Sequence, residues 1–285
     1  MNATVKLSSP VTHEFWEIPI LFEDEHVVAL DKPAGLLTSP DRLTPQRPSL
    51  LALLRAAIEA GKPWARERGL TYLANTQRMD VEASGVLLLA KNKPALIALA
   101  DQFSSEKPAR KYVVLVQGVP GDEPLVVDAK IARHPANAGL MMIDTRQGKK
   151  TKTEFAVLEK FSRWALVRAT PCQERPQQIP LHLSFAGFPL VGDEIHGGKK
   201  LWLSRIKRVY RLKPGHEERP LISSPVVHAD ELTCLHPVTQ QPLSIKCEWP
   251  KELRVALKYL RQYAKGGPGE ARPWESGSEE SGPGE

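Results

Sequence analysis

The 285-residue sequence has little cysteine and no long apolar run, and each shortage closes off a class of protein. Cys172, Cys234 and Cys247 are widely separated and show no CxxC spacing, so neither a disulfide framework nor a zinc site is expected. The longest apolar runs are five or six residues, far short of the roughly 20 needed to cross a bilayer. The opening stretch MNATVKLSSPVTHEFWEIPI lacks the basic-then-apolar order of a secretory leader. A cytoplasmic setting without a membrane partner is the expectation. The eight histidines, among them His182, His196, His228 and His236, show no HxxxH or similar spacing, so no metal is expected. No GxSxG motif supports a Ser-His-Asp triad, and there is neither an internal repeat nor a glycine-rich phosphate loop.

What is present begins with charge. Hydrophobic residues make up 41% and charged residues 25%, the profile of a globular chain. Residues 265–285 hold Lys265 and Arg272 against five glutamates, a net of −3, so removing them from the total of +6 leaves +9 on residues 1–264. A basic body suits a polyanionic partner such as nucleic acid. The Gly/Ser/Pro/Glu tail cannot bury enough apolar surface to order itself and is expected to be disordered.

Periodicity gives the elements. HVVAL, residues 26–30, reads as a strand ending in the turn DKPAG. Leu50, Leu51, Leu54, Ala57 and Ile58 recur at helical spacing, with Ser49 placed as N-cap and Gly61 as stop. Val86–Ala90 is too short for a helix and reads as a buried strand, with Ser84-Gly85 turning the chain into it. Leu96, Leu99, Ala100 and Phe103 form an amphipathic helix opened by Pro94. Further strands are expected at 111–118 and around TEFAVLEKF, WALVRAT and LSIKCEW, and the segment after Arg175 reads as strand-like. Strands outnumber helices without regular alternation, which predicts an α+β fold with a mixed, mostly antiparallel sheet.

Three residues stand out. Asp80, beside Arg78 at the mouth of the apolar run, is either an ordinary loop ion pair or a carboxylate that a guanidinium keeps ionised. Tyr112 is either a strand tyrosine with a wet hydroxyl or an aromatic face for a base, with a hydroxyl for proton transfer. Arg175 is either solvated or functional. A glycoside hydrolase would need a second carboxylate roughly 5–10 Å from Asp80, and none is evident in the sequence.

Six fragments, in order between about residues 18 and 253, resemble the RluA family of RNA pseudouridine synthases. DKPAGLLTSP resembles the KPxG loop, and QRMDVEASGVLLLAKN the signature HRLDxxTSGxxLxAK with its catalytic aspartate. ARKYVVLVQG resembles KxYxAxVxG, and KTKTEFAVLE falls where the family has a KxAxTxxxVL strand. ERPQQIPLHLSFAGFPLVGD resembles GRTHQIRxHLxxxGxPIxGD, and HADELTCLHPVTQQPL the closing LHAxxLxFxHPxT segment. The resemblance implies a pseudouridine synthase catalytic domain over 18–264, a cleft across the sheet, and residues 1–17 as an N-terminal extension too short for an S4-type domain. It implies Asp80, Tyr112 and Arg175 as the catalytic trio, with Asp80 and Arg175 paired, and Arg78 and Gln178 as substrate-binding residues. It further implies an RNA partner (rRNA or tRNA), a monomer, and a redox-neutral isomerisation without cofactor. The chain departs from the pattern at Gln77, Met79, Glu174, Pro176, Gln177 and Pro180, where the family has His, Leu, Gly, Thr, His and Arg. The departures leave room for a catalytically impaired RNA-binding relative that keeps the fold. Pro180 in particular lacks a charge and a backbone donor.

Overall fold

The run Val86–Ala90 has almost nothing polar to offer water, and a strand of that kind needs cover on both faces. The computed structural model describes residues 3–105, 108–212 and 215–265. Within them lie strands β1 (Thr4–Ser8), β2 (Phe15–Glu23), β3 (Val27–Lys32), β4 (Ala74–Asn75), β5 (Ala83–Ala90) and β6 (Ala109–Gln117). β7 (Leu125–Arg133), β8 (Met141–Ile143), β9 (Lys149–Lys160), β10 (Trp164–Pro171), β11 (Val227–Leu235) and β12 (Pro242–Lys246) follow. The helices are α1 (Leu50–Glu59), α2 (Pro63–Glu67), α3 (Lys93–Ser104), α4 (Gln178–Phe185), α5 (Leu203–Ile206) and α6 (Lys251–Tyr263). The strands make one sheet in the order β1-β2-β3-β5-β11-β6-β10-β9-β7-β8, with β4 on β5 and β12 on β11. Every described pairing is antiparallel except β5 with β11, so the sheet is mixed and mostly antiparallel, as expected.

β5 is buried at every position. Side chains alternate across a strand, and here each face meets its own core. Leu87 and Leu89 join α1 through Leu50 and Leu54, while Val86 and Leu88 pack on Ala95 and Leu99 of α3. In β6 the same alternation sends Val113 and Leu115 to Leu253, Leu257 and Leu260 of α6. Burying each of those leucines is worth about 2 kcal/mol, which is what holds a 13-residue helix that would be marginal alone. Tyr112, Val114 and Val116 point to the other face, with Ile179 and Leu183 of α4. Strand parity thus places Tyr112 on the α4 side.

Several expectations need adjusting. The boundary expected at residue 18 falls inside β2, and β1, from the stretch read as an N-terminal extension, buries Val5 and Leu7 in the main core. Ser49 precedes α1, but its hydroxyl makes no cap bond. Asn92 caps α3, its side chain accepting from Ala95 N–H at 2.9 Å. Gly85 lies within β5 rather than in a turn before it. Its φ is +102°, and an added Cβ would sit 2.2 Å from the carbonyl oxygen of Ala229, so the close parallel approach of β11 requires glycine there. The strand-like segment after Arg175 is the helix α4. Pro180 stands in its first turn, where an N–H has no intrahelical partner to lose; the missing donor therefore costs the helix nothing. Residues 265–285, read as a disordered acidic tail, lie outside the described residues apart from Lys265, which bridges to Phe161. No described helix is long and apolar enough to cross a membrane.

Candidate active site

Asp80 ends a loop that feeds β5, and the DKPAG loop clamps it. The Thr38 hydroxyl donates to the Met79 carbonyl at 3.2 Å and accepts the Met79 N–H at 3.1 Å. Gly35 N–H donates to the Val81 carbonyl at 2.7 Å. Lys32, fully buried, donates its ammonium to the Ala83 carbonyl at 2.7 Å and the Pro33 carbonyl at 2.9 Å. Burial drags that ammonium down to about 8, against the opposing pull of the Glu82 and Asp80 charges. The Met79 side chain anchors the loop in the main core from within. Sequence reading marked DKPAG only as a turn and, by resemblance, as a family loop; its long reach to residues 79–83 is a tertiary fact.

The second wall is the Glu174–Gln178 stretch. Gln177 takes a left-handed conformation (φ 55°) that starts α4 and aims its N–H at Asp80 Oδ2, 2.8 Å away. The positive end of the helix therefore faces the carboxylate. Gln177 also reaches outward, accepting from Met141 N–H at 2.8 Å and donating to the Gly139 carbonyl at 3.0 Å. Burial pushes Asp80 up to about 6; the Gln177 N–H opposes this, the nearby Glu82 and Glu174 charges add to it, and Lys32 opposes it. Glu82 stands two residues on in the sequence, whereas Glu174 is brought near Asp80 only by the fold.

The expected ion pair between Asp80 and Arg175 is absent. Arg175 is exposed, its main chain exchanges bonds with Gln178, and its guanidinium forms no ion pair among the described residues. The loop geometry that gives Asp80 a main-chain donor turns the neighbouring side chain toward water. Arg78 is likewise exposed beside Asp80 and unpaired with it. Gln178, expected to bind substrate, is buried and braces the loop from within. Its Oε1 accepts Arg175 N–H at 3.0 Å, and its Nε2 donates to Thr153 Oγ1 at 2.9 Å and the Lys152 carbonyl at 3.3 Å. Next along the helix, His182 is fully buried between the hydroxyls of Thr151 and Thr153, each at 2.9 Å, and burial lowers it to about 4. It is a neutral structural histidine. No group of three metal-ligating residues occurs among the described residues.

Tyr112 is 6% exposed. Its hydroxyl lies 3.2 Å from Arg110 Nη1 and 3.2 Å from Glu174 Oε1. Arg110 also holds Glu174 Oε2 at 2.9 Å through Nη1, and Gln77 Oε1 through Nη2. Gln77 and Glu174, two separate departures in the sequence, thus meet on one arginine. A polar cavity of about 270 Å³ opens beside this group, lined by Gln77, Arg110, Cys172, Glu174 and Arg175 among others. Asp80 and Tyr112 do not themselves line it. A larger groove of about 590 Å³ runs along β1, α1 and α2 and contains none of these residues.

One short stretch ties the distant candidates together. Glu174 bonds Tyr112 at one end, Gln177 bonds Asp80 at the other, and Arg175 lies between.

Residues 26–185 match the family model for RNA pseudouridylate synthase. A ribosomal large subunit pseudouridine synthase D of Nitrosomonas europaea is 32% identical over 252 residues, covering 88% of this chain and 68% of the relative. A synthase C of Vibrio vulnificus is 29% identical over 242 residues, covering 85% and 69%. The structure of human RNA pseudouridylate synthase domain containing 4 superposes with a TM-score of 0.61 at 22% identity, over 85% of this chain and 92% of that one, which shows a common fold. A sheet of the right topology and a family match spanning both the DKPAG clamp and the Asp80 loop lead to one conclusion: this chain belongs to the RluA family of RNA pseudouridine synthases.

Proposed function

We propose that this enzyme isomerises uridine to pseudouridine in large-subunit ribosomal RNA, with Asp80 as the catalytic carboxylate and Tyr112 and Arg175 beside it. The choice of ribosomal over transfer RNA rests on the names of its relatives. The observation that carries the site assignment is the Glu174–Gln177 stretch, which bonds Tyr112 and Asp80 from its two ends. In this reading the target uridine leaves its stack, at a cost of a few kcal/mol, and Arg78 fills part of the space. The N1–C1′ bond breaks, the uracil turns, and C5 joins C1′. Asp80 acts at the ribose, by attack on C1′ or by taking the C2′ proton; either step needs the ionised form. Tyr112 stacks on the uracil and assists loss of the C5 proton. Arg175 swings in to pair with Asp80 when RNA binds, since catalytic contacts commonly tighten in the complex. The closed guanidinium would then offset the burial that holds Asp80 at about 6. Bond making and breaking are redox-neutral, so the chemistry itself calls for no cofactor.

The test is to compare pseudouridine maps of large-subunit ribosomal RNA from cells with and without the gene. Loss of one or a few sites, restored by the wild-type gene, is the expected result. Unchanged ribosomal maps with a lost transfer-RNA site would move the substrate, and no change anywhere would favour an RNA-binding relative without turnover.

A further inference from the structure

We infer that Glu174 receives the proton that leaves uracil C5, by way of the Tyr112 hydroxyl, with Arg110 and Gln77 holding that pair in line. This rests on the reading of Tyr112 given above and deepens it. Where the family pattern has glycine, this chain supplies a carboxylate.

The direction of the hydrogen bonds carries the argument. An arginine can only donate, so Arg110 Nη1, 3.2 Å from the Tyr112 oxygen, occupies one of its lone pairs. The phenol proton must then point to the other neighbour, Glu174 Oε1, also at 3.2 Å. Arg110 is itself fixed by Glu174 Oε2 and by Gln77, and its side chain is 2% exposed. The phenol thus has a defined acceptor for its own proton and a second lone pair left free by Arg110. A neutral phenol is a poor base on its own. Burial pushes the Tyr112 phenol upward, Arg110 pulls it down, and the Glu174 charge pushes it up again, leaving it above its ordinary value. A free tyrosinate is therefore disfavoured, and Tyr112 takes up a proton only while handing on its own.

The step balances. The C5–H bond breaks, and its electron pair restores the C5=C6 double bond of the uracil. The N1=C6 pair left by C5–C1′ bond formation returns to N1, which takes a proton from water. The C5 proton goes to the Tyr112 oxygen as the phenol proton passes to Glu174 Oε1. Glu174 then releases it to water in the polar cavity that it lines, where 25% of its side-chain surface is exposed. Tyr112, at 6% exposure, has much less direct access to solvent. Glu174 does not touch the base; it is a positioning residue that also accepts the proton through Tyr112. The competing account is a brace, in which the Arg110–Glu174 ion pair merely holds the Tyr112 ring.

An isotope experiment separates the two. Single-turnover pseudouridine formation is measured on a large-subunit ribosomal RNA transcript made with either ordinary or 5-deuterated uridine. Glu174→Gln keeps a hydrogen-bonding side chain but removes the basic acceptor. It is expected to slow conversion about tenfold or more, because a positioned proton acceptor contributes about 10²–10⁴-fold and part of that is hidden behind earlier steps. The slowed reaction should show a primary deuterium effect larger than wild type. Glu174→Asp, which retains a carboxylate, should recover part of the rate and lose part of the isotope effect; it also serves should the glutamine variant fold poorly. Wild-type rate in Glu174→Gln, or slowing with no new C5 isotope effect in both variants, would overturn the relay while leaving the synthase reading intact. Wild-type protein that forms no pseudouridine would overturn the synthase reading and the relay with it.

Discussion

The two loops that meet at the candidate site are held in opposite ways. The Asp80 loop is clamped by Thr38, Gly35 and a fully buried lysine, and its own Met79 is sunk in the core. The Glu174–Gln177 loop has a left-handed residue, an exposed arginine, and ties made mainly through Gln177, Gln178 and Glu174. In the proposed function the first loop has its carboxylate in place before RNA arrives, and the second turns its arginine in. Four of the six departures from the family pattern, Glu174, Pro176, Gln177 and Pro180, fall on or beside the second. The other two, Gln77 and Met79, lie on or beside the first; Met79 is sunk in the core, and Gln77 is bonded to Arg110, which also holds Glu174.

Breaking the clamp should have the largest effect on folding. Lys32→Met keeps bulk but strips the donor from two carbonyls, each costing about 1–3 kcal/mol when left unsatisfied. Relief from burying an ammonium offsets part of this, so a net loss of about 2–4 kcal/mol in urea unfolding is expected, with turnover falling too. Unchanged stability would mean the clamp does not hold the loop.

Arg175→Ala addresses the other side of the contrast. Its side chain is exposed and unpaired, so unfolding free energy should stay within about 0.5 kcal/mol of wild type. Turnover should nevertheless drop about a hundredfold, the scale for losing a preorganised electrostatic partner. A large loss of stability with little loss of turnover would reverse the roles assigned here.

A smaller and opposite effect comes from Asp80 itself. Its carboxyl is raised from 3.8 to about 6 in the folded chain, so the native state binds its proton more tightly than the unfolded one. That contribution to stability is complete below about 4 and is lost as pH rises through about 6. Asp80→Asn removes the penalty and should stabilise the protein at pH 7.5 on the order of 1–3 kcal/mol, with the gain shrinking toward zero near pH 4. Thermal melts of both proteins across that range provide the check; a variant less stable at pH 7.5 would contradict the burial argument.

The sequence made some of this visible and hid the rest for physical reasons. Val86–Ala90 and the 96–103 helix were legible because burial on two faces and on one face leave different periods. Asp80, Tyr112 and Arg175 were legible as positions within longer motifs. The Gln77–Arg110–Glu174 group was not, since its members lie 33 and 64 residues apart and each alone reads as a surface polar residue. α4 escaped because Pro176 and Pro180 flank its start, where proline reads as a breaker although a first helical turn accepts it. The Asp80–Arg175 ion pair was expected from the family resemblance, and the structure has a main-chain N–H on Asp80 there instead.

The central claim is that Asp80 is present for chemistry on uridine. Its most direct test is single-turnover pseudouridine formation in large-subunit ribosomal RNA by wild type and by Asp80→Asn, with RNA affinity measured alongside. The account predicts conversion by wild type, less than roughly 1% of that by the variant, and affinities within a few-fold of each other. Comparable conversion by Asp80→Asn would contradict it.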